Sequence, residues 1–139
     1  TQPFVEGEGR FAFAHNGELA HHRRFREAYR AAGRIQGRGD SEVGMRWMED
    51  AWVLERPAGD LLAALQEAMG GLANFAVLEP GGRATLHAGN SENPVFGFRL
   101  GGLRLLSTGV YSLDRSMFRL VARGARERRL VARGHAASL

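Results

Sequence analysis

The chain has 139 residues, 44% hydrophobic and 24% charged, which suits one globular domain with a real core. It contains no cysteine, so disulfide bonds, thiolate metal sites and a cysteine nucleophile are excluded within these residues. No apolar run is long enough to cross a bilayer, and the first residues lack the basic and apolar regions of a signal peptide. We therefore expect a cytoplasmic protein, or an exported one that has already been trimmed.

The net charge of +4 raises the question of a nucleic-acid partner. Many of the positive charges lie near the C-terminus, at Arg115, Arg119, Arg123, Arg126, Arg128, Arg129 and Arg133. They alternate with aliphatic residues, as in strands with one solvated face, and no aromatic residues are interleaved for base stacking. This pattern favours a solvated basic surface, and we expect neither nucleic acid nor a membrane as a partner.

Hydrophobic periodicity divides the chain into one strand, three helices and a run of strands joined by glycine turns. Asn16-Gly17 is expected to break the first strand, because both residues tolerate positive φ. The predicted elements are a strand over 10–15, helices over 18–32, from Asp40 or Ser41 onward and over about 59–69, and strands over 72–78, 83–87, 95–100, 103–107, 117–121 and 129–132. Segregated helices and strands indicate an α+β architecture, and residues 1–139 show no linker or repeat, so we assign a single domain.

A first candidate site lies at the end of the first strand, in Ala14-His15-Asn16-Gly17-Glu18-Leu19. The Asn16 side-chain amide and the Gly17 backbone N–H could point two donors at one oxygen atom. Acyl-transfer chemistry needs such a pair to hold the developing oxyanion. The alternative is that Asn-Gly only makes a turn before a helix, and taken alone these residues favour the turn.

A second candidate site is Gly37-Arg38-Gly39-Asp40-Ser41-Glu42, a glycine-flanked loop before the second helix. The carboxylate of Asp40 could bind the ammonium group of a ligand. Asp is also among the best helix N-caps, and taken alone the segment favours the cap. A polar segment at residues 90–94 could line a substrate entrance, although a plain turn is the favoured interpretation.

Together, in this order and separated by one helix, the two sites resemble the class II glutamine amidotransferase domain of the N-terminal-nucleophile hydrolases. Thr1-Gln2-Pro3-Phe4 is similar to the Xaa-Pro-Phe segment that precedes the family's His-Asn-Gly strand. Residues 71–78 and 105–108 are similar to later strands of the family. The resemblance covers most of the chain and is strongest up to Leu78. It implies part of a four-layer αββα sandwich.

The resemblance implies a role for each candidate residue. Asn16 and Gly17 would form the oxyanion hole, and Asp40 would bind the α-amino group of glutamine. His15 is grouped with Asp40 in substrate binding, in a supporting role rather than as an acid or base. The implied activity is release of ammonia from glutamine, or a related γ-glutamyl amide, through a cysteine thioester. No cofactor or metal is implied, and the five histidines show no metal-ligand spacing.

The chain departs from the family at the nucleophile, which in the family is an N-terminal cysteine whose own α-amino group serves as the base. We expect that cysteine upstream of this chain or on another protein chain, with Thr1 at a position inside the family domain. The chain alone is then expected to be inactive. One alternative is a non-catalytic amidotransferase-like subunit that binds a partner protein or an amino acid. Another is Thr1 as the nucleophile, which Pro3 disfavours because proline cannot donate a ladder hydrogen bond in a central strand.

Overall fold

The structure is a computed structural model, and it describes residues 2–52, 56–100, 103–108, 125–130 and 136–138. Its elements within those ranges are β1 (Phe4–Val5), β2 (Ala12–Glu18), α1 (His22–Ala31), α2 (Asp40–Trp52), α3 (Ala58–Met69), β3 (Leu72–Leu78), β4 (Ala84–Ala88), β5 (Phe96–Leu100), β6 (Leu103–Ser107), β7 (Ala125–Leu130) and β8 (Ala136–Ser138). Helices and strands are segregated along the chain, as the predicted α+β class requires. Within these ranges, no helix is both long and apolar enough to cross a bilayer.

The described strands form two antiparallel sheets. One has the order β1-β2-β3-β4-β8, and the other has the order β6-β5-β7. The register of β2 on β3 sets Asn16 opposite Asn74 and His15 opposite Phe75. Directly opposed residues of antiparallel strands share a face, whereas consecutive residues of one strand point to opposite faces. Asn16 and Asn74 therefore lie on one face of the larger sheet, and His15 and Phe75 lie on the other.

The helices cover the face of the larger sheet that carries Phe13 and Phe75. These two rings stack with their centroids 5.9 Å apart. Gly44 lets α2 pack closely against Leu19 and this face, because an added β-carbon would stand only 3.1 Å from Leu19 Cδ1 and 3.5 Å from the Phe13 ring. Helix α3 contributes the largest group of fully buried side chains, Leu61, Leu62, Leu65 and Met69. Each such side chain stabilises the fold by roughly 1.5–3 kcal/mol, so the helical layer is held firmly against the sheet.

Most of the predicted elements are confirmed, with small shifts at their ends. The strands over 72–78 and 103–107 are found as predicted, α2 begins at Asp40, and α3 begins one residue early. β4 and β5 each begin one residue later than predicted. β7 overlaps the strand predicted over 129–132 only at residues 129 and 130. The strand predicted over 117–121 lies outside the described residues. The short edge strands β1 and β8 were not predicted.

Two predictions around Gly17 are wrong. β2 continues through Asn16-Gly17 to Glu18, and α1 begins at His22 rather than at residue 18. The cause is pairing with β3, which holds residues 12–18 in register with residues 72–78. Gly17 has a φ of +134°, and an added β-carbon would lie 2.0 Å from the Leu72 carbonyl oxygen. Glycine is thus required here by a close approach of two backbones rather than by a turn.

Candidate functional site

Asn16 lies near the end of β2, with an exposed side chain on the face opposite the helices. Its Nδ2 atom donates a hydrogen bond to Thr108 Oγ1 at 3.2 Å. Thr108 follows directly after β6, so this bond links the two sheets. A side-chain amide has two N–H groups, and one of them remains available to a ligand. The arrangement suits an oxyanion donor that is held in place yet accessible.

Asp40 lies in the first turn of α2, and its carboxylate accepts two backbone hydrogen bonds. Oδ2 accepts from the Leu19 nitrogen at 3.0 Å, and Oδ1 accepts from the Ser41 nitrogen at 2.8 Å. The first bond fixes the carboxylate beside the residue that follows β2. An ionised carboxylate has about four acceptor positions, so Asp40 keeps capacity for a cationic ligand. The negative charge also suits the positive end of the helix.

His15 is buried on the helix-facing side of β2, with 7% of its surface exposed. Its Nδ1 atom lies 2.9 Å from Ser41 Oγ, and its ring stacks on Phe75. Its Nε2 atom has no hydrogen-bond partner among the described residues. Burial lowers the pKa of His15, and the negative charge of Asp40 opposes that shift only in part. His15 is therefore neutral at neutral pH. Its side chain and that of Asn16 lie on opposite faces of the sheet.

Gln2 joins these groups from the N-terminal segment. Its Oε1 atom accepts a hydrogen bond from the His15 backbone nitrogen, and its Nε2 atom donates to Ser41 Oγ at 3.2 Å. Ser41 thus contacts both Gln2 and His15, and its own backbone nitrogen binds Asp40. Sequence reasoning missed Gln2 and Ser41 as parts of the site. The signal was present, since Gln2 lies in the Xaa-Pro-Phe segment and Ser41 directly follows Asp40.

An open cavity of about 460 Å³ lies beside the start of α2, lined by Gln2, Phe4, Gly37, Gly39, Ser41 and Glu42. Its volume is in the range of small-molecule sites. The Glu42 carboxylate accepts hydrogen bonds from the backbone nitrogens of Gln36 and Gly37, at 3.2 and 2.8 Å, and so holds the glycine-rich loop in place. The described part of the chain has no cluster of His, Asp or Glu that could hold a metal ion.

The polar segment at residues 90–94 forms a turn beside Gly17. Asn74 fixes it from β3, accepting a hydrogen bond from the Asn90 nitrogen at 3.1 Å and donating one to the Asn93 carbonyl at 2.7 Å. A turn was the interpretation that the sequence favoured. Its attachment to Asn74 could not be predicted, because it depends on the register of β3 and β4.

The sequence model of a family described as a glutamine amidotransferase domain matches residues 1–93, which is more than half of the chain. No curated protein matches the sequence significantly.

Two solved structures are similar over 99% of the chain, each at 18% sequence identity. One is a glutamine phosphoribosylpyrophosphate amidotransferase from B. subtilis complexed with ADP and GMP, with a TM-score of 0.65. The other is described as the allosteric regulatory enzyme of purine biosynthesis, with a TM-score of 0.70. The chain spans 31% and 28% of their respective lengths. These similarities confirm the predicted α+β class and show that the chain shares the fold of these two proteins.

Proposed function

Because this chain belongs to the glutamine amidotransferase domain family, we propose that it recognises glutamine or a related γ-glutamyl amide and stabilises the transition state of its hydrolysis. The nucleophile is a cysteine outside these 139 residues, which contain none. Its thiolate attacks the side-chain carbonyl carbon, and the carbonyl oxygen takes the negative charge. The α-amino group of that cysteine takes the thiol proton and gives it to the departing nitrogen, so collapse of this intermediate expels ammonia and leaves a thioester. Water then hydrolyses the thioester to glutamate and the free thiol.

The observation that carries the proposal is the hydrogen bond from the Leu19 nitrogen to Asp40 Oδ2 at 3.0 Å. This bond supports the placement of the Asp40 carboxylate and the Asn16 amide at the same end of β2. Leu19, to which Asp40 is bonded, is only three residues from Asn16. Three residues of extended chain span about 10 Å. That separation leaves room for an amino-acid substrate with its ammonium group at one end, its side-chain amide at the other, and a hydrogen bond of about 3 Å at each end.

Each site residue has one task in this proposal. Asn16 and the Gly17 N–H donate hydrogen bonds to the oxyanion, and Asp40 pairs with the α-ammonium group of the substrate. His15 assists by holding Ser41, whose backbone nitrogen binds the Asp40 carboxylate at 2.8 Å. A neutral, buried ring suits this supporting task better than proton transfer to a substrate. The reaction needs no cofactor, and the proposed location is the cytoplasm.

The absence of cysteine also favours a second candidate function. In that alternative the domain binds an amino acid or a partner protein and does not catalyse a reaction. The Asp40 carboxylate and the Asn16 amide would then bind a ligand without a reacting thiolate nearby. This candidate predicts that glutamine binds but is never hydrolysed.

Covalent trapping distinguishes these possibilities. The complete polypeptide encoded by the gene is treated with a glutamine analogue that carries an electrophilic diazoketone in place of the amide, and the adduct is located by mass spectrometry. We expect an adduct on a cysteine outside residues 1–139, glutamate release by the complete polypeptide, and no release by the 139-residue chain alone. An adduct on Thr1 would establish a threonine nucleophile instead. Glutamine binding without an adduct or glutamate release would establish the non-catalytic alternative.

A further inference from the structure

The turn over residues 89–93 is built against Gly17 by two buried asparagines. Asn74 and Asn90 are 4% and 6% exposed, which is low for polar side chains. Asn74 uses both ends of its amide on the turn, accepting from the Asn90 nitrogen and donating to the Asn93 carbonyl. The Gly89 nitrogen donates to the Ala73 carbonyl at 3.0 Å, which pins the start of the turn to β3. The turn is therefore firmly fixed to the strand beside β2.

The orientation of the Asn90 amide is determined by its own turn. Asn90 Oδ1 accepts hydrogen bonds from the backbone nitrogens of Glu92 and Asn93, at 2.9 and 3.1 Å. Only the oxygen end of an amide can accept two N–H donors, so the nitrogen end must point away from the turn. This Asx-type turn leaves Asn90 Nδ2 free to face the strand that it packs against.

The Nδ2 atom of Asn90 faces Gly17. A β-carbon built on Gly17 would stand 3.0 Å from this nitrogen, which is the nearest side-chain atom to that point among the described residues outside 16–18. The other near atoms belong to the backbone of Leu72 and Ala73. Gly17 is itself exposed, but the space that its β-carbon would occupy is bounded by the backbone of β3 and by the amide nitrogen of Asn90.

We propose that Asn90 is a positioning residue of the oxyanion hole, with its Nδ2 group packed on Gly17. Through this contact it holds the Gly17 backbone in its positive-φ conformation, and it turns the positive end of an amide dipole toward the place where negative charge develops. The inference rests on the proposed function, since it assigns Gly17 to the oxyanion hole. Fixed dipoles aimed at a developing charge lower the barrier without reorganising during the reaction.

Asn90→Asp in the complete polypeptide tests the role of Asn90 Nδ2, because it replaces this nitrogen and keeps the oxygen of the side chain. Aspartate retains an oxygen for the nitrogens of Glu92 and Asn93, so the turn is kept. It replaces Nδ2 with a negatively charged oxygen beside Gly17. We expect kcat for glutamine to fall at least about tenfold with little change in KM, because the interaction matters mainly in the transition state. The charge added at this buried position should also lower Tm, so kcat is compared for the folded protein. The matched control is Asn93→Asp, which makes the same charge change at an exposed position of the same turn.

A second variant, Asn90→Ser, removes the amide nitrogen without adding charge and leaves a hydroxyl acceptor for the turn. We expect a smaller fall in kcat than for Asn90→Asp. The ¹H–¹⁵N chemical shifts of the Gly17 amide give a readout that does not depend on catalysis. We expect them to change in both Asn90 variants and to remain unchanged in Asn93→Asp.

The outcomes separate the two proposals. If the wild-type polypeptide hydrolyses glutamine and the folded Asn90 variants keep its kcat, the role of Asn90 is wrong and the proposed function stands. Equal losses of kcat in Asn90→Asp and Asn93→Asp would also contradict the positioning role of Asn90. The losses would then come from the negative charge added to the turn and not from the contact with Gly17. A wild-type polypeptide without glutamine hydrolysis would overturn both proposals, and an unmoved Gly17 resonance would reject the contact itself.

Discussion

Asp40 Oδ2 accepts a hydrogen bond from the Leu19 backbone nitrogen at 3.0 Å, and this bond ties the start of α2 to the end of β2. The other carboxylate oxygen accepts from the Ser41 nitrogen at 2.8 Å. Asp40 can therefore accept backbone hydrogen bonds at the helix terminus and also bind a cationic ligand, so the two interpretations are compatible. A change at this residue should affect stability and substrate recognition together, to different extents.

Asp40→Asn leaves one acceptor oxygen for two backbone donors, so we expect the free energy of unfolding to fall by about 1–3 kcal/mol. Loss of the charge opposite the substrate ammonium group should cost more, on the order of 2–5 kcal/mol. Steady-state kinetics should show kcat/KM for glutamine reduced at least about tenfold. A substrate analogue without the α-amino group should be penalised far less.

The control for this change is Asp60→Asn, because Asp60 is an exposed residue in the first turn of α3. It removes the same charge from a helix N-terminus and should leave the glutamine kinetics unchanged. If Asp40→Asn lowers the melting temperature while the glutamine kinetics stay intact, Asp40 has only a structural role.

Gly17→Ala tests the close approach of β2 and β3. Positive φ alone costs an alanine roughly 1–2 kcal/mol. At Gly17 the added methyl would also meet the Leu72 carbonyl oxygen at 2.0 Å. We expect a loss above about 3 kcal/mol in chemical denaturation. Gly82→Ala is the matched control, because Gly82 has a φ of +87° and open space around its α-carbon. Equal losses for the two variants would show that steric contact with β3 contributes nothing.

His87 should make stability depend on pH. Burial lowers its pKa from the ordinary value of 6.5, and its Nδ1 atom has no hydrogen-bond partner in the described part of the chain. As the pH falls below about 6.5, the unfolded chain binds the proton first. The stability that depends on neutral His87 is therefore complete above that pH and is lost as the pH falls toward the folded pKa.

His87→Phe retains a ring to stack on Phe75, where the centroids are now 5.9 Å apart. We expect the fall in melting temperature between about pH 7.5 and pH 5.5 to become smaller than in the wild type. His15 contributes in the same direction, because burial lowers its pKa also, so part of the dependence should remain. Exposed His21→Gln is the control. An unchanged pH dependence in His87→Phe would contradict this assignment.

The sequence predicted the candidate residues that lie in short local segments. Asn16, Gly17 and Asp40 stand in two such segments whose residue types suit their proposed roles, and the helix between the segments follows from apolar spacing. The contacts of Asn16 could not be predicted in the same way. Its hydrogen-bond partner Thr108 is 92 residues away, and its neighbour across the sheet, Asn74, is set by strand register.

Gly17 shows why local propensity misled the prediction of β2. Asn-Gly is a strong turn signal, and a positive φ was indeed found at Gly17. The pairing of residues 12–18 with residues 72–78 nevertheless keeps the segment in the sheet. Tertiary pairing overrides a turn propensity when a glycine allows two backbones to meet closely.

Substitution of Asn16 should separate an effect on catalysis from an effect on stability more clearly than the other changes. Its side chain is exposed and, within the described ranges, donates only to Thr108 Oγ1, so Asn16→Ala should leave the melting temperature nearly unchanged. Loss of one oxyanion donor typically lowers kcat by about 10²–10³. Thr108→Val removes only the acceptor that holds the Asn16 amide, and we expect a much smaller loss of kcat.

The rate of glutamate release from saturating glutamine, measured for the complete wild-type polypeptide and for Asn16→Ala, tests the assignment of Asn16 most directly. We predict measurable release by the wild type and a loss of about 10²–10³ in kcat for the folded variant. A wild-type rate in folded Asn16→Ala, or no release of glutamate by the wild-type polypeptide, would contradict the assignment of Asn16 to the oxyanion hole of a glutaminase.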